Sequence, residues 1–286
     1  MNVIFSFQKD NSQRLQKQKV NFGAGLTPQM IQEIQRADVL QISNRLAKKG
    51  IPTDFRDNKV LAWCSDKTVE IFQQLNERFD ANLALPKGIY VEDFKKLNVD
   101  SQYLLGTCNL RPTFFRKGSN ERTPSRTIFF NTMHNWNNIN SMSDVNYAEK
   151  HFSTDLFLYP FLHEFSHVIH ENRLLNKLGG KKLNKMLEDL NEESQIQKYR
   201  KLYNERVKQI CNYAANTPLD AIACDLPKVI VNSLNKETLM PTKNPFIGTP
   251  YEEPSFLKKW LPQKKYSDQD RPLQEILRNF WNGKFD

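Results

Sequence analysis

A short apolar stretch that carries three histidines limits most strongly what this chain can fold into. His163, His167 and His170 are three of the five histidines in the chain, and the first two form the pattern H-E-x-x-H with Glu164. On a helix, side chains four residues apart lie one turn above each other on one face. The apolar residues around them are Leu156, Phe157, Leu158, Phe161, Leu162, Phe165, Val168 and Ile169. They predict a buried helix whose polar groups need partners, because unpaired burial is costly.

A metal ion would provide such a partner. Two imidazoles one turn apart can bind one ion, and the pattern is typical of zinc sites in which the glutamate is a general base rather than a ligand. We therefore predict that His163 and His167 bind Zn²⁺ and that Glu164 takes a proton from the attacking water. The alternative is a core helix with hydrogen-bonded histidines. We expect His170 to be a partly exposed helix residue with no catalytic part.

Length and charge limit the class of protein. With 286 residues the chain can bury a sizeable core. Its net charge is +9, but the basic residues are scattered and often stand beside acids, which is typical of a solvated surface. Nucleic-acid binding through the basic clusters at 258–260 and 264–266 is the less favoured alternative. We expect a protein or peptide substrate, no nucleic-acid partner and a monomer.

The cysteines and the apolar runs bear on the compartment. Cys64, Cys108, Cys211 and Cys224 form no C-x-x-C pair, and we interpret them as free thiols in a reducing compartment. The N-terminus has no signal-peptide pattern, and no stretch approaches the roughly 20 apolar residues of a membrane span. We expect a cytoplasmic protein, or one that a non-Sec route secretes into a host cell.

Changes in composition predict three segments. Residues 1–95 form either a small α/β subdomain or the front half of the catalytic fold, with a mobile polar start at 8–21. Residues 96–235 form the catalytic core. Residues 236–286 form a proline-rich tail that packs on this core and ends in a short helix over residues 273–281. The order of the elements predicts an α+β fold.

Apolar periodicity and capping residues give bounds for three of the predicted helices. The first covers residues 28–50. The helix that carries H-E-x-x-H begins at Pro160, or near Thr154 with a bend at the proline, and ends at Gly179. A long polar helix then follows over residues 182–212.

Strands are predicted in the first half of the chain. Residues 59–64 are interpreted as a short strand, with Ser65 as the cap of a following helix. Residues 103–110 are a second strand candidate, and residues 127–131, which are β-branched and aromatic, are the strongest. The segment 131–146 is interpreted as a loop. The strand at 127–131 is either an ordinary sheet strand, which we favour slightly, or an edge strand that pairs with a substrate peptide.

A catalytic zinc ion needs a third protein ligand and an open position for water. A metzincin would continue its motif with glycine and histidine, whereas this chain has His170 and Arg173 at those positions, so that class is excluded. A gluzincin takes its third ligand, usually a glutamate, from a helix further along the chain.

Downstream, residues 213–225 resemble the second motif of the anthrax lethal factor group of zinc endopeptidases. In that group a tyrosine is followed, seven residues on, by the acidic zinc ligand, as Tyr213 is followed by Asp220 here. The resemblance covers roughly residues 153–226. It implies that Tyr213 stabilises the oxyanion, that Asp220 is the third ligand, and that Asp225 lies one position past the group's second acid. The competing tyrosines are Tyr199 and Tyr203.

Asp220 departs from the group, whose ligand is glutamate, because its side chain is shorter by about 1.5 Å. Thr217 is also predicted to be a helix N-cap, with Asp220 at the third helical position, where an acid favours the helix dipole. We do not expect one carboxylate to serve both roles fully. Asp225, Glu171 and His170 therefore stay open as third ligands, and Asp225 is otherwise expected to orient a ligating histidine.

The resemblance implies a zincin-like catalytic domain with a small mixed sheet and an H-E-x-x-H helix followed by further helices. The function it implies is that of a gluzincin-type zinc endopeptidase, a bacterial effector or toxin that hydrolyses peptide bonds with a metal-activated water. The alternative is a catalytically degenerate zinc-binding protein that acts by binding a partner.

Overall fold

The residues that the computed structural model describes are 25–95, 104–110, 124–253 and 271–285. Over these ranges the chain forms nine α-helices and a four-stranded mixed sheet. The predicted α+β class and the small mixed sheet are confirmed. The polar start at 8–21 and the basic clusters at 258–260 and 264–266 lie outside the described ranges. None of the helices described is long and apolar enough to cross a membrane.

The N-terminal helices differ from the prediction. They are α1 (Pro28–Arg36), α2 (Val39–Lys48) and α3 (Lys59–Phe79). The single helix expected over 28–50 is divided, because Ala37 leaves the helical conformation and Asp38 caps α2 by accepting a hydrogen bond from the Gln41 amide at 3.0 Å.

The strand predicted at 59–64 is the first part of α3, so that prediction was wrong. Asn58 caps this helix by accepting from the Leu61 amide at 3.0 Å, and Ser65 lies inside it. Residues 60–65 are all buried. A short run that is apolar on every side has no helical periodicity to distinguish it from a buried strand.

The sheet contains β1 (Thr53–Asp54), β2 (Gly88–Glu92), β3 (Gly106–Asn109) and β4 (Thr127–Asn131) in the order β1-β2-β4-β3. β1, β2 and β4 are parallel, and β3 pairs with β4 in the antiparallel direction. The strand predicted at 127–131 is thus confirmed, but it lies between β2 and β3 and is not an edge. Its backbone is paired on both sides, so it cannot receive a substrate strand.

The later helices are α4 (Ile139–Ala148), α5 (Tyr159–Leu178), α6 (Gly180–Asp189), α7 (Glu193–Val207), α8 (Pro218–Val231) and α9 (Arg271–Trp281). α4 lies in the segment expected to be a loop, where buried Trp136 and Ile139 anchor it against the core. The long helix expected over 182–212 is divided, because Glu192 has an extended backbone between α6 and α7. α5 begins at Tyr159, with Pro160 in its first turn, so no bend is needed.

α5 is the central helix of the fold. It packs against β3 and β4 on one side and against α8 on the other, and α9 contacts α5, α7 and α8. The sheet joins β1 and β2, from the first predicted segment, to β3 and β4, from the second. The exact division into three segments stays a prediction. The packing places the polar side chains of α5 between the sheet and the first turn of α8.

Candidate metal site

Two histidines of α5 face each other inside the protein. Their Nε2 atoms are 3.2 Å apart, and the rings are nearly perpendicular. His163 is fully buried and His167 is 2% exposed. The spacing of four residues on a helix brings the two rings together on one face, as the sequence predicted.

Asp220 completes a group of three at the start of α8. Its Oδ1 atom lies 3.8 Å from His167 Nε2, and its side chain is 1% exposed. One ligand atom from each of His163, His167 and Asp220 can be chosen so that all lie within 4.8 Å of one another. Two imidazole nitrogens and one carboxylate oxygen are a donor set that binds a divalent transition-metal ion. This buried group could therefore hold a metal ion.

The two carboxylate oxygens of Asp220 have different environments. Oδ2 accepts a hydrogen bond from the Thr217 hydroxyl at 2.8 Å, and that hydroxyl accepts one from the Asp220 amide at 3.1 Å. Oδ1 is buried without a hydrogen-bond partner. Thr217 is the N-cap of α8, as predicted, and the second oxygen of Asp220 lies near His167 rather than in the cap.

His163 is oriented by the backbone of α8. Its ring forms a hydrogen bond to the Ala223 carbonyl. Nε2 faces His167 and Nδ1 lies 3.8 Å from Cys224 Sγ, so Nδ1 is the atom that meets this part of α8. The expected orienting residue, Asp225, instead accepts a hydrogen bond from the Tyr251 hydroxyl at 2.9 Å.

Burial sets the protonation states of the group. It lowers the pKa of His163 well below its usual value, helped by the nearby His167, and it lowers the pKa of His167 to about 3. Burial also raises the pKa of Asp220 to about 7, although the hydrogen bond from Thr217 and the charge of Arg200 act in the opposite direction. Neutral imidazoles keep the lone pairs that bind a metal, and a cation would favour ionised Asp220.

Glu164 lies beside the group on α5 but does not belong to it. It is 2% exposed, and its Oε2 atom has no hydrogen-bond partner. Burial, and secondly the charge of Asp220, raise its pKa well above the usual value. Gly106 of β3 leaves room for this carboxyl, because a Cβ atom there would lie 3.1 Å from Glu164 Cγ and Oε1.

Tyr213 lies next to His163. The centroids of the two rings are 5.7 Å apart and the rings meet edge to face. Burial, and then the charge of Asp220, raise the pKa of the Tyr213 hydroxyl well above 10, so the hydroxyl remains protonated. The competing Tyr199 donates its hydroxyl to the Ala214 carbonyl at 2.8 Å and is engaged there.

His170 and Glu171, the other candidate ligands on α5, contact groups outside the metal site. His170 is 1% exposed, so the expectation that it is partly exposed was wrong. Its Nε2 atom meets the Phe280 carbonyl at 2.9 Å, and its ring stacks on Trp281 with the centroids 5.6 Å apart. Glu171 faces Arg126, with Oε2 3.8 Å from Nε. α9, which is distant in sequence, buries His170.

Two contributors to the site were not predicted. The Ala223 carbonyl carries no side-chain signal, and only the position of α8 brings it to His163. Gly106 could have been suspected, because glycine inside a strand often marks the close approach of another group.

Comparison with known proteins adds no family to these observations. No protein-family model matches the chain, and neither a curated protein nor a solved structure matches it.

Proposed function

We propose that this protein is a zinc endopeptidase with a zincin-like catalytic domain. The observation that carries the proposal is the buried group of His163, His167 and Asp220, with the Glu164 carboxyl beside it. Asp220 Oδ1 and Glu164 Oε2 are both buried without a hydrogen-bond partner. Such atoms are costly in an apolar interior unless a ligand or an ion engages them. Two histidines and one carboxylate are the protein ligands of many catalytic zinc sites.

Glu164 is the general base of the proposed reaction. When bound to His163, His167 and Asp220, zinc would act as a Lewis acid and lower the pKa of a water molecule towards about 7. The Glu164 carboxylate takes the proton of the attacking water and transfers it to the leaving amine. A raised pKa suits both steps, because the carboxyl must accept and then release the same proton.

Tyr213 is the proposed donor to the oxygen that gains charge. Its hydroxyl stays protonated at neutral pH, because burial raises its pKa. A protonated hydroxyl can donate a hydrogen bond to the carbonyl oxygen of the peptide bond as the water adds. The position of its ring beside His163 favours Tyr213 over Tyr199, whose hydroxyl is used elsewhere.

A second function is a zinc-binding protein without turnover. The degree of burial favours it, since His163, Glu164, His167 and Asp220 are each at most 2% exposed. A structural zinc site is closed, whereas a catalytic one keeps an open position. Zinc bound one to one, with no hydrolysis of any protein, would support this second function.

The first test is metal content. Wild type, Asp220→Ala and Asp225→Ala are purified in parallel and analysed for elements after zinc supplementation. We expect one zinc per chain in wild type and in Asp225→Ala, and its loss in Asp220→Ala. The two aspartates lie on the same helix, so Asp225→Ala controls for a general effect on α8. Zinc that stays in Asp220→Ala and leaves in Asp225→Ala would contradict the assigned ligand.

The second test separates the two functions. Glu164→Gln should keep zinc but reduce hydrolysis by about 10²- to 10⁴-fold, the range for loss of a general base. Cleavage is measured as new N-termini in a protein mixture incubated with each variant. Wild-type rates in a metal-loaded Glu164→Gln preparation would exclude Glu164 as the base. Absence of new N-termini with zinc-loaded wild type would favour the non-catalytic function.

A further inference from the structure

The hydroxyl of Thr217 forms two hydrogen bonds with the same residue. It accepts from the Asp220 amide at 3.1 Å and donates to Asp220 Oδ2 at 2.8 Å. The first bond is an ordinary N-cap of α8. The second is not needed for capping, and it ties the carboxylate to the helix start.

Only a hydroxyl can form both bonds in this arrangement. A serine or threonine oxygen carries one hydrogen to donate and two lone pairs to accept with. An aspartate side chain has two rotatable bonds, so fixing Oδ2 also fixes where Oδ1 points. Oδ1 is the buried atom without a partner, and it lies 3.8 Å from His167 Nε2.

We propose that Thr217 is a positioning residue that orients Asp220 for metal binding. This inference rests on the proposed metal site. The hydroxyl occupies the carboxylate oxygen that would otherwise compete for the ion, so Asp220 presents a single oxygen to the histidines. Groups that hold a ligand in this way typically account for 10- to 100-fold in metal affinity.

The test compares zinc affinity across variants by competition with a chromophoric chelator. Thr217→Val keeps the shape and removes both hydrogen bonds. Thr217→Gly also removes the hydroxyl, and glycine is tolerated at an N-cap. If the Thr217→Val protein does not fold, Thr217→Gly becomes the decisive variant. Thr217→Ser restores the hydroxyl. Thr27→Val is the matched control, because Thr27 caps α1 by accepting from the Met30 amide at 3.2 Å and does not belong to the metal group.

We expect the Kd for zinc to rise about 10- to 100-fold in Thr217→Val and Thr217→Gly. It should stay within about threefold of wild type in Thr217→Ser and Thr27→Val. Both valine variants should lose thermal stability, because each loses an N-cap, and Thr217→Val should lose more, because Asp220 Oδ2 also loses its hydrogen bond. The electronic spectrum of bound Co²⁺ should change in Thr217→Val and not in Thr27→Val, which a purely structural role of Thr217 would not produce.

The outcomes separate this inference from the proposed function. Wild-type zinc affinity in a folded Thr217→Val or Thr217→Gly variant would overturn the positioning role, while loss of zinc in Asp220→Ala would leave the metal site standing. A wild-type chain that binds no zinc would remove the site, and the role of Thr217 with it.

Discussion

Three carboxyl groups lie near the histidine pair, and each has a different environment. Asp220 has the Thr217 hydroxyl on one oxygen, Glu164 has no partner on Oε2, and Glu171 faces Arg126 at 3.8 Å. All three have raised pKa values, with burial as the largest cause. What distinguishes them is the neighbouring group, which is the Thr217 hydroxyl at Asp220, Gly106 at Glu164 and the Arg126 guanidinium at Glu171.

Glu171→Gln should stabilise the protein at high pH. Burial raises the pKa of Glu171 to about 8, against 4.5 for the free side chain, although the charge of Arg126 opposes it. The folded state holds this proton more tightly than the unfolded state, so the contribution of Glu171 to stability is lost as pH rises from about 4.5 through 8. Glutamine carries no charge and avoids that loss. The difference between the two pKa values corresponds to about 5 kcal/mol at most.

Urea unfolding of wild type and Glu171→Gln at pH 5 and pH 9 measures this effect. The variant should gain stability relative to wild type at pH 9 and little at pH 5, and its zinc affinity should not change. Glu193→Gln, on the exposed first turn of α7, serves as the control. Its difference in unfolding free energy from wild type should be the same at both pH values. An equal difference at both values would contradict the burial of an ionisable Glu171.

The sequence predicted the residues whose chemistry depends on local spacing. His163 and His167 follow from a separation of four on a helix, and Glu164 from its place between them. Asp220 was predicted as a ligand only because its segment resembles the second motif of a known group of zinc endopeptidases. Glu171 and His170 could not be excluded as ligands, because their partners are side chains and backbone groups that are remote in sequence.

At the scale of elements, the contact between β3 and α5 shapes the site. Gly106 lies opposite Phe130 in the sheet and against Glu164 of the helix. The sequence predicted a strand in this region and the helix, but not their contact, since strand order depends on long-range pairing. The same limitation explains why an edge position stayed open as the alternative for β4. The prediction of a strand at 59–64 was wrong for a local reason, because a short apolar run is compatible with either a buried strand or a buried helix.

Gly106→Ala should destabilise the protein and disturb Glu164. The new Cβ would lie 3.1 Å from Glu164 Cγ and 3.2 Å from Phe130 Cδ1, closer than packed atoms tolerate without movement. Overpacking of this kind costs about 1–3 kcal/mol. Because Glu164 is not a proposed ligand, zinc affinity should stay within about threefold of wild type.

Urea unfolding and zinc titration check this pair of expectations. Gly180→Ala is the matched control, because a Cβ there meets only Leu175 Cδ1, at 3.9 Å, and should leave stability unchanged or slightly raised. A Gly106→Ala protein as stable as wild type would show that β3 and α5 are less closely packed than described.

At the scale of the whole molecule, the proposed metal would link α5 to α8. Two ligands come from α5 and one from α8, and these helices pack against each other along the core. Binding only to the folded state stabilises that state, by about 2.7 kcal/mol when free zinc is 100 times its Kd.

Removal of zinc should therefore loosen both helices together. Hydrogen exchange followed by mass spectrometry is compared with zinc and with a chelator. Amides of α5 and α8 should exchange faster without zinc, whereas those of α2, which contributes no ligand, should change little. Asp220→Ala should show no dependence on zinc. A change confined to α5 would contradict a ligand on α8.

The contact between His170 and α9 also has a consequence for how the protein is made. The Phe280 carbonyl that meets His170 lies 110 residues further along the chain. A ribosome completes both α5 and α8 before it reaches α9. During that interval the side of α5 that carries His170 is still exposed to water, because Phe280 and Trp281, which cover it in the folded protein, have not yet been made. We therefore expect newly made chains to be most accessible to proteases and chaperones in the interval before α9 packs against α5.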